Sequence, residues 1–194
     1  MFCAMRRSLS LLLVPALCFL CISNAHGQRT VYGQRFITVG PVCSFTSVGG
    51  LSGFGAYTYD GYWNAGLRVV NRARYESNTG EVVSFLRCDG SFARYHRLVS
   101  TSDRRLNVYG GGDVFIGWEF MDPFQMLDQS VQVAVKSAGY HDSRFVYGLS
   151  ALAEAEYYIN DIFGLVLGFR MPVAFGTDLS NIGAEVSLAV RFWL

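Results

Sequence analysis

About fifty residues at the C-terminal end alternate between apolar side chains and polar or small ones. This is the pattern of β-strands whose two faces meet different surroundings. Within 145–159 every odd position is apolar, whereas the even positions include Glu154 and Glu156. The same alternation returns over 163–173 and 182–194. The pattern therefore predicts three consecutive strands, each with one continuous apolar face.

Weaker alternation earlier in the chain predicts five more strands. They cover residues 36–46, 53–59, 62–74, 82–97 and 104–119. An even number of antiparallel strands can close into an up-and-down barrel, and closure removes the unpaired sheet edges. The expected fold is therefore all-β, with eight antiparallel strands.

The charged side chains of these strands fall on the face opposite the apolar one. They are Arg68, Arg87, Asp89, Glu154, Glu156, Arg170, Glu185 and Arg191. The lumen of an eight-stranded barrel is only wide enough for side chains, and the large apolar residues of the last strands would overfill it. We therefore expect the charges to pair inside and the apolar faces to contact lipid, which makes the fold a transmembrane β-barrel. A soluble barrel or sandwich with an apolar core is the alternative.

The N-terminus has the layout of a secretory signal. Arg6 and Arg7 precede an apolar stretch that ends in small residues, with cleavage expected between Ala25 and Gly27. We predict a signal peptide over 1–27 and a single barrel domain over 28–194. Removing the signal leaves 14 basic and 15 acidic side chains, a net charge of −1. Direct binding to nucleic acid is not expected, because it needs a basic surface.

The connections between the predicted strands favour an outer-membrane location. Links near 60–61, 100–103 and 160–161 are short, whereas the others are mostly longer, the longest covering 120–143. Short turns at one end and long loops at the other, with both termini at the short end, are typical of outer-membrane barrels. Outer-membrane lipid is then the first expected partner.

Aromatic residues near the short turns are expected at the membrane–water interface, where rings with a polar tip are favoured. These residues are Tyr57, Tyr59, Tyr62, Trp63, Tyr157, Phe192 and Trp193.

No motif carries an enzymatic signature. The run 110–113 (Gly-Gly-Gly-Asp) lacks the Lys-Ser/Thr ending of a phosphate loop. The run 141–143 (His-Asp-Ser) does not make a triad, because the groups of a triad meet in space rather than in sequence. Glu154 and Glu156 could act as an acid–base pair, but we favour a structural role. We expect no catalytic, cofactor or metal site. Cys43 and Cys88 could form a disulfide, although their spacing does not require one.

Several short motifs resemble the conjugative transposon protein TraO family. They are 34–36 (Gln-Arg-Phe), 145–148 (Phe-Val-Tyr-Gly), 154–161 (Glu-Ala-Glu-Tyr-Tyr-Ile-Asn-Asp) and 175–178 (Phe-Gly-Thr-Asp). The similarity is strongest over 145–194. The resemblance implies an outer-membrane part of a DNA-transfer apparatus that contacts other transfer proteins, with no catalytic residues to carry over.

Two other functions are compatible with the sequence. One is a general small outer-membrane barrel for adhesion or envelope integrity. The other is a lipid-modifying barrel enzyme, in which His96 or His141 would have to take part.

Overall fold

The structure is a computed structural model. It describes residues 32–76, 81–102, 105–121, 129–137, 139–179 and 181–194. The predicted signal peptide over 1–27 lies outside the described residues.

Eight strands and one short helix make up the fold. The strands are β1 (Arg35–Cys43), β2 (Ser47–Tyr57), β3 (Gly61–Glu76), β4 (Glu81–Ser100), β5 (Leu106–Met121), β6 (Ser143–Tyr158), β7 (Phe163–Phe175) and β8 (Glu185–Trp193), and the helix is α1 (Gln129–Ser137). Each strand pairs antiparallel with the next, and β8 pairs with β1 to close the barrel. The predicted eight-stranded up-and-down barrel is confirmed.

The two faces of the strands have the predicted orientation. Along β6, Leu149 points outward and is 58% exposed, whereas Val146 and Glu156 point inward and are fully buried. The outward residues of β7 and β8 are likewise large and apolar, among them Leu167 and Leu188. The barrel therefore presents an apolar belt outside and charged side chains inside, which is the arrangement of a transmembrane β-barrel.

The predicted strand bounds differ from those in the structure, most of all for the second strand, while β4 extends to Ser100 and β8 begins only at Glu185. The first was predicted over 36–46 and the second over 53–59, but β1 ends at Cys43 and β2 already begins at Ser47. Residues 49–53 of β2 include three glycines and so show no alternation, yet their main chain pairs with β1 and β3.

The prediction that links at the loop-rich end are mostly long is wrong for half of them. We call the end where β1 begins and β8 ends the terminus end, and the opposite end the loop end. At the loop end, β1–β2 and β3–β4 are joined by only residues 44–46 and 77–80, whereas 122–142 and 176–184 form the two longer links. Glycine and serine near the first of these turns obscured where the strands end.

The barrel wall is uneven in height. At about 3.3 Å per residue, the 20 residues of β4 make it roughly twice as long as β1, which has 9. The β1–β8 pairing covers six residue pairs and skips Gly40 and Pro41, since proline has no N–H to donate. The contact between β1 and β8, which we call the β1–β8 seam, therefore has the fewest paired residues of any strand pair in the barrel.

Helix α1 lies in the link that the sequence suggested was a loop. Val135 of α1 is fully buried against Val83, Phe85 and Met121 at the loop end. Tyr140 also packs there, so α1 covers part of the barrel mouth. Among the described residues, none of the helical structure is long and apolar enough to cross a membrane.

The orientation of the apolar belt leads to a stability prediction. Leu188→Arg, at the middle of β8, should lower the free energy of unfolding by about 2–4 kcal/mol because it places a cation in the hydrocarbon. Leu194→Arg, just past the end of β8, is the matched control and should cost about 0–1 kcal/mol. Urea unfolding in lipid vesicles, followed by tryptophan fluorescence, measures both. Equal effects of the two substitutions would contradict the outward orientation of this face.

Candidate functional site

The lumen concentrates most of the buried charge of the described chain. Its arginines are Arg68, Arg72, Arg87, Arg170 and Arg191, and its acids are Asp89, Asp113, Glu119, Glu154, Glu156 and Glu185. These side chains come from six strands, β3 to β8. Most of them form two clusters, which we call the Arg191 cluster and the Arg68 cluster after their central residues.

In the Arg191 cluster, one guanidinium is shared by two carboxylates. Arg191 donates to Glu154 at 2.7 Å and to Glu156 at 2.6 Å. Its Nε donates to the hydroxyl of Thr38 on β1 at 3.1 Å. Arg191 therefore connects β8 with β6 and also crosses the short β1–β8 seam.

Tyrosine hydroxyls supply the rest of the hydrogen bonding in this cluster. Tyr57, Tyr109 and Tyr158 donate to Glu156 at 2.5, 3.1 and 3.2 Å, and Tyr62 donates to Glu154. Buried carboxylates with a single shared counter-charge need such donors, because each unfilled lone pair is costly away from water.

Three of the aromatic residues predicted at the membrane interface lie in the lumen instead. Tyr57, Tyr62 and Trp193 are buried, because they share the inward face of their strands with the charged residues. The prediction used only their height in the barrel and ignored which face they occupy. Together with Phe36 and Tyr158 they close the terminus end of the lumen.

Packing in this aromatic layer is close. The Arg191 guanidinium lies 4.2 Å from the ring centroid of Phe36, a cation–π distance. The Phe36 ring occupies the space that a Cβ at residue 55 would need, so only glycine fits there. The layer therefore leaves little space at the terminus end.

The other predicted interface aromatics lie outside. Tyr59, Trp63, Tyr157 and Phe192 are exposed on turns or outward faces near the terminus end. Trp63 stacks on Phe92 with centroids 5.2 Å apart.

In the Arg68 cluster, ion pairs cross the lumen. Arg68 binds Asp89 through two nitrogens at 2.8–3.3 Å and Glu185 at 2.5 Å. Arg170 binds Asp113 at 2.9 Å and also reaches Glu185 at 3.4 Å. The cluster joins β3, β4, β5, β7 and β8, so breaking one contact leaves a buried charge uncompensated.

A cavity of about 90 Å³ separates the two clusters. Its lining includes Arg68, Arg170 and Arg191 together with the polar side chains of Asn64 and Ser91. A polar cavity of this size can hold a few ordered waters. Side chains of the two clusters fill the lumen on either side of it.

At the loop end, the link 176–184 folds over the mouth. Thr177 donates its hydroxyl to Glu119 at 2.9 Å, and the backbone N–H of Asp178 donates to the same carboxylate at 3.3 Å. The Asp178 side chain in turn pairs with Arg144 at 2.5 Å. The link starts at Gly176, whose φ of 78° is a backbone conformation that favours glycine.

The two histidines that the structure describes each lie near an aspartate at the surface. His141 lies near Asp178 at 3.5 Å, while Asp142 pairs with Lys136. His96 contacts Asp60 at 3.1 Å on an exposed turn. Within the described part of the chain, no three His, Cys, Asp or Glu side chains are placed to hold a metal ion.

The Asp60 carboxylate has two further side-chain contacts at the terminus end. It accepts hydrogen bonds from Arg94 and from the hydroxyl of Thr58, and the bond from Arg94 is the main reason that the pKa of Asp60 lies below its ordinary value. The carboxylate therefore stays ionised to a lower pH than a free aspartate does.

The two cysteines that the structure describes are free thiols. Cys43 lies on β1 and Cys88 on β4, and these strands are not neighbours in the sheet. The disulfide that the sequence left open is absent from the described structure.

Sequence reasoning missed several inward charges. Glu154 and Glu156 pair with Arg191, whereas Arg68 and Arg170 have other partners. Asp113 is one of these other partners, and neither it nor Glu119 and Arg72 was among the predicted interior charges. All three occupy the alternate positions of β3 and β5 that face the lumen, and this alternation could have identified them.

The chain matches the family described as conjugative transposon protein TraO over residues 49–194. No curated protein matches the chain.

Solved structures similar to the chain are β-barrels. The attachment invasion locus protein Ail of Yersinia pestis, solved with the heparin analogue sucrose octasulfate, is 12% identical with a TM-score of 0.50, covering 84% of this chain and 100% of that one. Neisserial surface protein A is 14% identical with a TM-score of 0.48, covering 83% and 95%. The N-terminal barrel of OprF from Pseudomonas aeruginosa is 12% identical with a TM-score of 0.44, covering 84% and 98%. The likeness to Ail supports the fold.

The Arg191 cluster leads to a second stability prediction. Arg191→Gln should lower the free energy of unfolding by about 3–5 kcal/mol, because two buried carboxylates lose their shared cation. Adding Glu154→Gln and Glu156→Gln should recover part of this loss, since the uncompensated charge is then removed. The measurement is urea unfolding in detergent micelles.

The matched control is Arg97→Gln, an exposed arginine at the terminus end, which should change stability by less than about 0.5 kcal/mol. If Arg191→Gln behaves like this control, the cluster does not stabilise the barrel.

Proposed function

Because the chain belongs to the conjugative transposon protein TraO family, we propose that it is an outer-membrane component of a conjugative DNA-transfer apparatus. It acts without catalysis, through contacts with other transfer proteins. The observation that supports this mode of action is the filled lumen. Because the interior is occupied, the two ends of the barrel are the surfaces that can contact other proteins.

The outer membrane is the proposed location. A closed barrel with an apolar outer belt satisfies every main-chain hydrogen bond within the sheet, as lipid requires. The terminus end carries three short links and, by the usual arrangement of such barrels, faces the periplasm.

Direct passage of DNA through the barrel does not fit the interior. An eight-stranded barrel is only wide enough to hold side chains. Here the Arg191 cluster, the Arg68 cluster and the aromatic layer occupy that space. The proposed role is therefore one of contact with other transfer proteins and not of a conduit.

The terminus end offers a contact surface. Tyr59, Leu98, Val99 and Ile162 are each more than 60% exposed there. Leu98 and Val99 belong to the part of β4 that continues past the start of β3, whose first residue pairs with His96. Exposed apolar side chains on the turns and on this projecting part of β4 favour a protein partner on the periplasmic side.

Location can be tested in cells that express the mature chain behind its own signal. We expect the protein in the outer-membrane fraction, with a different gel mobility before and after boiling, because a closed barrel resists detergent until heated. Recovery of the chain from the soluble periplasmic fraction would contradict the proposal.

The role in transfer is tested by deleting the gene in a donor strain. We expect transfer frequency to fall and to recover with the wild-type gene, because the apparatus loses an envelope component. Undiminished transfer, or an envelope defect independent of mating, would contradict the role and favour a general envelope barrel.

Complementation with Leu98→Ser/Val99→Ser tests the contact surface. We expect transfer about tenfold lower than with the wild type, the effect of losing about 1.4 kcal/mol of binding. The matched control, Val82→Ser/Val133→Ser, removes two exposed valines at the loop end and should transfer normally. A defect in the control alone would move the contact surface to the loop end. Heat-dependent gel mobility verifies that both variants fold.

A further inference from the structure

Two buried arginines near the loop end lack a carboxylate of their own. Arg72 is 7% exposed and makes no hydrogen bond or ion pair with another described residue. Arg87 is 2% exposed; its Nε donates to Asp89 at 3.1 Å, but its Nη2 has no acceptor among the described residues. Buried guanidinium groups left this way are costly, because nothing replaces their hydration.

The two arginines are neighbours on the inner face of the sheet. Arg72 pairs in register with Phe85, and Arg87 follows two residues later on the same face of β4. This diagonal relation places their side chains within reach of one small ligand. The ring centroid of Phe115 lies 4.7 Å from the Arg87 guanidinium, so the ring covers one face of this group and offers no acceptor to its buried Nη2.

The nearby acids that the structure describes are already engaged. Asp89 accepts hydrogen bonds from Nε and Nη2 of Arg68 besides the Nε of Arg87. Glu119 lies directly across from Arg87 in the β4–β5 register, yet its carboxylate accepts from the link 176–184.

Among the described side chains at the loop end, cations outnumber carboxylates. On the loop side of Asp89, the described inward cations are Arg72, Arg74, Arg87 and Arg144, and the described carboxylates are Glu119 and, from the link, Asp178. Both of these carboxylates hold the link in place. The Arg72 guanidinium and the Nη2 of Arg87 are therefore left without a carboxylate among the described residues.

We propose that Arg72 and Arg87 form a binding site for a small oxyanion, phosphate or sulfate, taken from solution at the loop end. Guanidinium groups match such anions because their N–H donors form a planar fork. The link 176–184 covers the site, since Gly183 lies against the Nη2 of Arg72 and carries no side chain to fill the space. A bound oxyanion satisfies Arg87 and so leaves Glu119 to hold Thr177.

Inorganic phosphate tests the site on the full chain folded in detergent micelles. The melting temperature is followed by tryptophan fluorescence while sodium chloride keeps the ionic strength constant. We expect a saturable rise of about 3–5 °C at ten times the Kd, and sulfate should compete. No saturable rise would overturn the proposal.

Substitutions identify the residues involved. Arg72→Gln and Arg87→Gln should each abolish the rise, whereas Arg35→Gln, which removes the same charge at the terminus end, should keep it. Arg72→Lys retains the charge without the fork and should weaken phosphate binding in isothermal titration calorimetry at least tenfold, a factor that corresponds to about 1.4 kcal/mol.

If Arg87→Gln fails to fold, the two Arg72 variants decide the question. A phosphate response that survives in Arg72→Gln would overturn the assignment. The proposal does not rest on the role in DNA transfer, because the binding measurement needs no transfer apparatus.

Discussion

Arg191 lies inside the barrel, where a charged side chain is stable only if other charges and hydrogen bonds replace the water it has lost. It meets carboxylates from β6, a hydroxyl from β1 and tyrosine hydroxyls from β2 and β3. Arg68 joins β3 to β4 and β8 in the same way. Neutralising buried charge therefore connects strands that are not neighbours in the sheet. It also reinforces closure at the β1–β8 seam, where main-chain pairing is shortest.

The same constraint makes the two ends of the lumen different. At the terminus end, one arginine serves two glutamates, and tyrosine hydroxyls complete the hydrogen bonding under an aromatic layer. At the loop end, the described inward arginines outnumber the described carboxylates, and those carboxylates hold the link 176–184. One end is thus closed by packing and the other by polar contacts that a ligand or a change in the link can alter.

In the proposed function, a barrel filled in this way acts through its outer surfaces and its two ends. The apolar belt contacts lipid. Because the wall is uneven in height, part of β4 projects past the start of β3, and Leu98 and Val99 are exposed there. Membership of the TraO family gives these surfaces a context in conjugative transfer, because a filled barrel in such an apparatus can contribute through contact.

The sequence by itself determined the barrel. Strict alternation in β6, β7 and β8 fixes which side of each strand meets lipid, because a strand has a period of two and one face must be apolar. The same alternation separates the charged residues from the apolar ones.

The alternation failed to predict the bounds of β2, where glycines have no side chain to alternate. It also gave no sign of α1, whose Val135 is buried only because it packs against β4 and β5. Only the tertiary structure decided which arginine meets which acid, that Tyr57, Tyr62 and Trp193 lie inside, and that Arg72 and the Nη2 of Arg87 have no carboxylate partner among the described residues. These outcomes depend on strand register and on distances across the lumen, and no local pattern in the chain encodes them.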